Sequence, residues 1–482
     1  MRAKKVLVTG ATGYIGGRLV PRLLDQGYEV VCPVRSAPKV ASRPWADSPA
    51  VEIVVADAAD RSAMEAALRG VDLAYYLIHS MMAAGGAYAR RDQELADAFA
   101  AAAAAAGCRR IVYLGGLGET GSDLSEHLGS RREVEAALAS TGIPLTVLRA
   151  AMIIGSGSAS FEILRYLVER LPVMVTPRWV QTECQPIGVR DVLHYLVACA
   201  DIPETAGRTL DIGGPEILTY RQLMHLMSDA RGLKRRVILP LPVLTPRLSS
   251  LWIHLVTPLS RHIARPLAEG LKNRVVCRND LARRLIPHQP EPIAHAIAKA
   301  LDAPRPHKSS WFDAGAIPGD PDWAGGTTFR DRRRLATAAP AERLFRSVCR
   351  IGGSNGWYGS SFLWRLRGWM DRLIGGPGLR RGRRDPEVLG FGDPVDFWRV
   401  TGIEANRRLE LRAEMKLPGI ATLEFLVHRR PDGGSDLEQT ARFKPLGLAG
   451  LLYWYAVLPF HGIVFRGMMQ GIRSHAEQKT PS

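Results

Sequence analysis

Six short runs rich in β-branched and aromatic residues recur early in the chain: KVLVTG (5–10), EVVCPV (29–34), VEIVVA (51–56), DLAYYLI (72–78), RIVYLGG (110–116) and PLTVLRA (144–150). Helical stretches separate them, the clearest being DQELADAFAAAAAAAG (92–107), whose alanines favour helix. This alternation predicts an α/β fold with a doubly wound parallel sheet and helices on both faces. A smaller mixed lobe is expected from about residue 216, where LPLPVLTPRLSSLWIHLVTPL (239–259) carries too many prolines for one long helix. Composition then changes around residues 302–320, which sets a domain boundary and divides the chain into 1–304 and 305–482. Beyond it, VDFWRVTGIE (395–404), LELRAEMKL (409–417), ATLEFLVHR (421–429) and DLEQTARFK (436–444) alternate apolar and polar residues between short turns. They predict an antiparallel meander, closed by a long apolar helix from Leu448 to about Ile472.

The 482 residues are too many for one small core, and their formal charge is +17. Residues 305–482 hold 28 Lys and Arg against 18 Asp and Glu, so the cationic surplus is denser there. The runs RDRRR (330–334) and LRRGRRD (379–385) come with no stacking platform or groove-reading helix, which argues against nucleic acid. Peripheral contact with an anionic membrane is the better expectation. Six scattered cysteines form no C-x-x-C pair and no metal-ligand cluster, so no metal is expected and they read as buried thiols in a reducing compartment. The first residues pass straight into a strand pattern without a secretory leader, and the expected location is cytoplasmic, at most peripheral to the inner face of the membrane. Leu446–Phe465 is uncharged and long enough to span, yet Pro459 and His461 favour a buried or interfacial helix.

The strongest chemical signal is TGATGYIGG (9–17), which sets Gly10, Gly13 and Gly16 in a G-x-x-G-x-x-G frame between a predicted strand and a predicted helix. Glycines there let the backbone turn tightly and approach a pyrophosphate, which meets the unpaired N–H groups of the helix start. The cofactor expected is NADP(H), with NAD(H) as the alternative. Arg35, ending the second strand, offers donors suited to a 2′-phosphate, although a solvated arginine at a strand end is also ordinary. Asp57, after the third strand, is placed to accept from the adenine amino group or to cap a helix.

These features resemble the short-chain dehydrogenase/reductase superfamily, in its atypical, extended-like branch. The whole chain is similar to bacterial proteins in which such a domain precedes a START-like, helix-grip extension of undetermined function. That closer likeness rests on AYYLIHSM (74–81), RRIVYLGGLG (109–118), QPIGVRDV (185–192), DIGGPEILTYRQLM (211–224), GGSNGWY (352–358) and GLLYWYAVLPFHG (450–462), among other stretches. The resemblance implies cofactor contacts from Gly10, Thr12, Gly13, Tyr14, Ile15, Gly16, Arg35, Asp57, Ala58, Ile78 and Arg131. Active members carry a serine at the end of the fifth strand and a Y-x-x-x-K pair on the next helix. Here Gly115 and Gly116 stand at the serine, His127 near the tyrosine and Arg131 near the lysine. Arginine can hold a ribose hydroxyl or phosphate but cannot relay a proton, so the usual relay is missing. His127, Arg131 and His79, the last at the end of the fourth strand, are the candidate catalytic residues. His127 and Arg131 are also readable as a surface histidine and a helix-face arginine, and His79 more readily as a hydrogen-bonded crevice residue with no proton to move.

The resemblance further implies that the C-terminal domain wraps a curved sheet around its last helix and encloses an apolar or lipid ligand, with Trp454 and its neighbours lining or capping the cavity. Two functions remain open at this point. One is an NADP(H)-dependent reductase-like enzyme for an apolar carbonyl or enoyl substrate. The other is a non-catalytic dinucleotide holder, similar to an accessory subunit of respiratory complex I or a redox sensor.

Overall fold

Val6, Leu7 and Val8 are fully buried, as a strand covered by helices on both faces requires. They belong to β1 (Lys5–Val8), an interior strand of the larger of two compact units, Met1–Gly326 and Thr327–Ser482. The structure is a computed structural model and describes residues 5–37, 43–79, 88–118, 126–241, 270–301, 324–359, 361–373 and 385–478, with Val40, Leu267, Ala314 and Arg383. The proline-rich segment 242–266 and the stretch 302–313 lie outside the described residues.

In the first unit β1 leads to α1 (Gly16–Asp25), β2 (Glu29–Val34), β3 (Val51–Val55), α2 (Arg61–Leu68) and β4 (Leu73–Tyr76). Next come α3 (Tyr88–Ala105), β5 (Arg110–Gly116), α4 (Glu126–Ala139) and β6 (Leu145–Ala150). With the later β11 (Thr209–Ile212), the strands form a seven-stranded sheet in the order β11-β6-β5-β4-β1-β2-β3, every neighbouring pair parallel. The order reverses between β1 and β4. There the connections leave to opposite faces and open a crevice at the carboxyl ends of the strands.

The smaller lobe is assembled from two stretches of chain rather than one. The first holds β7 (Ile153–Ile154), α5 (Ala159–Arg170), β8 (Val173–Pro177), β9 (Glu183–Cys184) and β10 (Ile187–Gly188). Then α6 (Val189–Asp201) and β11 return to the large sheet. The second stretch supplies β12 (Leu218–Thr219), α7 (Tyr220–Ala230), β13 (Val237–Leu241), α8 (Leu281–Leu285) and α9 (Ile293–Leu301). Pairing of β12 with β9 and of β13 with β8 joins the two stretches, which is why a lobe beginning near 216 also uses residues from 153 onward. Cysteines 32, 108, 184, 199, 277 and 349 are all free, and burial pushes the Cys199 thiol up to about 11.

The second unit is mostly an antiparallel sheet. Its elements are β14 (Phe329–Thr337), α10 (Ala341–Cys349), α11 (Ser361–Leu373), β15 (Pro394–Val395), β16 (Trp398–Glu404), β17 (Arg408–Ala413), β18 (Gly419–Arg429), β19 (Ser435–Pro445) and α12 (Gly447–Glu477). The order is β14-β19-β18-β17-β16-β15, so the expected meander is present and β14 closes one edge. The basic run RDRRR lies in β14, and its charges are matched across the ladder: Arg332 pairs with Glu438 and Arg334 with Asp436, each at 2.7 Å. Alternation along a strand thus turns a cationic run into cross-strand ion pairs.

Helix α12 is 31 residues long, and among the described residues it is the one helix long and apolar enough to cross a membrane. Trp454, expected at a cavity, is instead part of the packing. Its ring stacks on Phe329 at 5.0 Å and on Phe443 at 6.0 Å, with His461 edge-on at 5.0 Å. The sheet face opposite this turn carries aromatic rings, and an indole fills the space between them.

Candidate active site: a dinucleotide crevice

The turn after β1 is held together by its glycines. Gly10 has φ of +66°, which a side chain rarely tolerates, and a Cβ there would lie 2.8 Å from the Leu77 carbonyl oxygen. A Cβ on Gly16 would collide with the Gly10 carbonyl, while on Gly13 it would come within 3.0 Å of the same oxygen. The Gly13 N–H donates to the Gly10 carbonyl at 2.8 Å, and no side chain caps the first turn of α1. Thr9 ties this turn to β4: its hydroxyl donates to the Tyr75 carbonyl at 3.0 Å and accepts from the Leu77 N–H at 2.9 Å. A compact backbone cradle before an uncapped helix start fits a pyrophosphate.

The cradle opens on a crevice of about 530 Å³ lined, among others, by Gly10, Thr12, Gly13, Arg35, Asp57, Ala58, Ile78 and His79. Tyr14 and Ile15 belong to the same turn and the N-cap of α1, with their side chains packed away from the crevice. The Tyr14 ring is covered by the Arg18 guanidinium at 4.2 Å, and Ile15 packs against the core. Asp57 accepts from the Ala59 N–H at 2.9 Å in a local turn. Capping of α2 falls to Asp60, which accepts from the N–H groups of Ser62 and Ala63, so the alternative role for Asp57 as a cap is excluded. Arg35 is exposed at the mouth.

His79 is held by a buried carboxylate. Its Nδ1 lies 2.8 Å from Asp92 Oδ2 on α3. Burial and the positive charge of Arg131 keep the imidazole below the ordinary histidine range and therefore neutral near pH 7. With the Nδ1 proton directed at the carboxylate, Nε2 carries the acceptor lone pair. Arg131, on α4, reaches the Leu114 carbonyl at 3.4 Å, at the end of β5. Its charge also acts on Tyr76 and Tyr113, so it belongs to the polar cluster under the crevice. Residues 119–125 and the side chain of His127 lie outside the described part, and the structure gives the His127 side chain no place.

The sequence reading missed several participants, five of them charged. Arg90, Arg91 and Glu94 on α3 line the crevice, and Asp92 beside them holds His79. Their signal was present in RRDQE at the start of a helix that follows β4, but it reads as an ordinary charged helix start. Arg43 is the fifth addition: its guanidinium is buried, lies against Gly17 and donates to the Thr12 carbonyl at 3.0 Å. In the lobe, Met152, Ile163, Leu164, Trp179, Tyr220 and Met224 line a small apolar cavity of about 40 Å³.

A parallel sheet with its order reversed beside a glycine cradle, a basic strand end and a carboxylate after the third strand defines an NAD(P)-binding Rossmann domain. Within that class the chain belongs to the NmrA-like family, which it matches over residues 2–245. Residues 323–468 match a protein family of unknown function, DUF2867. The chain is 30% identical over 234 residues to (4-alkanoyl-5-oxo-2,5-dihydrofuran-3-yl)methyl phosphate reductase of Streptomyces griseus, covering 47% of this chain and 74% of that one. It is 26% identical over 248 residues to the mitochondrial NADH dehydrogenase (ubiquinone) 1 alpha subcomplex subunit 9 of Arabidopsis thaliana, covering 49% and 60%. In fold it is similar to the NADPH-dependent quinone oxidoreductase of Escherichia coli, solved with NADPH, with a TM-score of 0.50 and 21% identity over 62% of this chain and all of that one.

Proposed function

We propose that this protein is an NADP(H)-dependent reductase acting on an apolar carbonyl or enoyl substrate. One observation carries the reading: the glycine cradle, Arg35 and the Asp92-held His79 line a single crevice at the switch point of the sheet. When bound, the dinucleotide would supply or accept the hydride. The protein's part is to bind and orient it. The cradle N–H groups and the start of α1 hold the pyrophosphate, Arg35 faces a 2′-phosphate with Arg90 close by, and Asp57 accepts from the adenine amino group. Neutral His79 lines the same crevice, and Asp92 fixes its tautomer. The likeness to a reductase named for an alkanoyl-bearing compound supports a substrate with an apolar chain. For the second unit, an antiparallel sheet followed by a 31-residue helix supports the START-like, helix-grip reading.

A second reading has its own observation. Gly115 and Gly116 end β5 where active relatives of the superfamily carry a serine, and the Y-x-x-x-K pair is absent. A non-catalytic dinucleotide holder, as the likeness to a complex I subunit suggests, would need neither. The two are separated by purifying the full chain, identifying the co-purified nucleotide by mass, and following reduced-nicotinamide absorbance with a panel of hydrophobic carbonyls. The expected result is NADP(H) that at least one carbonyl oxidises. Stoichiometric NADP(H) left untouched by the whole panel would establish the holder.

A further inference from the structure

We propose that the outer faces of α11 and α12 form a surface that rests on an anionic lipid bilayer, with both helices lying in the interfacial plane. The proposal does not depend on the reductase reading. Of the 20 large apolar side chains exposed among the described residues, six lie on α12 and five on α11. On α12, Leu448, Leu452, Tyr455 and Ile463 repeat at helical spacing along one outward stripe, with Leu452 and Ile463 each 63% exposed. On α11 the same spacing turns Phe362, Leu366, Trp369 and Leu373 outward, Phe362 being 68% exposed. The helices meet where the Arg367 guanidinium lies 5.8 Å from the centre of the Tyr453 ring. Water-soluble monomers seldom leave so many large apolar side chains uncovered on two adjoining helices.

Charge selects the occupant. From Gly447 to Phe465, α12 carries no Lys, Arg, Asp or Glu, and its one histidine, His461, is turned inward to Asp331 at 3.5 Å. Helix α11 carries Arg365, Arg367 and Arg372 against one acid, Asp371, and that carboxylate is buried and accepts from the Lys416 N–H at 2.7 Å. The apolar stripe of α11 therefore has Arg365 and Arg367 beside it while its one acid is turned inward, the composition of a helix that lies on anionic lipid. A second copy of the chain would bring like charges together. Trp369 and Tyr455 suit the headgroup level, where an apolar ring and a polar edge are both accommodated.

The opposite side of α12 argues against a span. Gly450 is pressed against the Pro418 carbonyl, Trp454 is stacked on the sheet, and Val464, Phe465, Met468 and Met469 are in the core. A spanning helix of ~20 residues would drag the adjoining sheet and its backbone into hydrocarbon.

The experiment uses the full-length protein, pelleted with vesicles of phosphatidylcholine alone or of phosphatidylcholine mixed with phosphatidylglycerol. Binding is expected to the mixed vesicles, falling as salt is raised. The double substitution Leu452→Glu, Trp369→Glu should lower it roughly tenfold or more, since two large side chains lose their burial. Nucleotide affinity should be unchanged. Arg365→Glu, a change at an exposed position, should weaken binding to the mixed vesicles without altering circular dichroism. Protein that stays in the supernatant with both vesicles, or a double variant that folds and still binds as wild type, overturns the proposal. So does a wild-type dimer that the double variant dissolves, because a second copy would then cover the face, and so does protein released from cell membranes only by detergent.

Discussion

Arg35 shows how much a single side chain can carry and how little its sequence position says about it. It ends β2 at the mouth of the crevice, exposed, with Arg90 and Arg91 facing the same space from α3. Arg35→Asp should therefore weaken NADPH and relieve the bias against NADH, shifting the ratio of their dissociation constants roughly tenfold or more, because a fork of donors to a phosphate is replaced by a like charge. Titration calorimetry with both nucleotides reads the ratio. An unchanged ratio would transfer the phosphate to the α3 arginines. The glycine cradle was legible because backbone sterics leave few residue types for such a turn, and the 3-residue frame records them. The His79–Asp92 pair was not: thirteen residues separate its members, and only the docking of α3 beside β4 brings them to 2.8 Å.

At the level of elements, the strands of both sheets were readable from apolar pattern, since buried parallel strands and alternating antiparallel ones differ in period. The limit was reached where an element's surroundings decide its role. Trp454 sits in an apolar helix that could equally wall a cavity, and the rings of Phe329 and Phe443, from two distant strands, determine that it is packed. Trp454→Ala should cost the second unit about 3–5 kcal/mol, the usual range for deleting a large buried aromatic. Amide exchange followed by mass spectrometry should quicken in β14 and β19, where the two phenylalanines reside, and nucleotide affinity should stay as it was. Unchanged exchange in those strands would mean that the aromatic stack contributes little.

For the whole molecule, acid should act unequally on the two units. Burial lowers the pKa of His461 and His475, and Arg partners lower Glu424 and Glu438 against their desolvation. All four bind protons more readily unfolded than folded, so the second unit's stability is full above the ordinary histidine value of about 6.5 and is lost as pH falls below it. The first unit is mixed. His79, His194 and His225 are lowered, but burial raises Glu162 and Asp191, which favour the folded state as acid is added. Exchange rates in residues 327–478 should accordingly rise progressively as pH falls from about 6.5 through the carboxylate range, and rates that stay flat across that interval would contradict this balance. Sequence placed the division between the two parts at a change of composition near residue 304, whereas Cα packing divides them at Gly326, because 314 and 324–326 fold back on the first unit through Ser156 and Arg165. The central claim, that the crevice presents a dinucleotide for hydride transfer, is tested most directly by isotope transfer. The full-length protein is incubated with NADPH deuterated at nicotinamide C4, each face in turn, and with the hydrophobic carbonyl panel. Deuterium from one face only, found on the reduced carbon of a product by mass spectrometry, is the expected result; label that remains wholly in the nucleotide with either face, while the nucleotide stays bound, would contradict it.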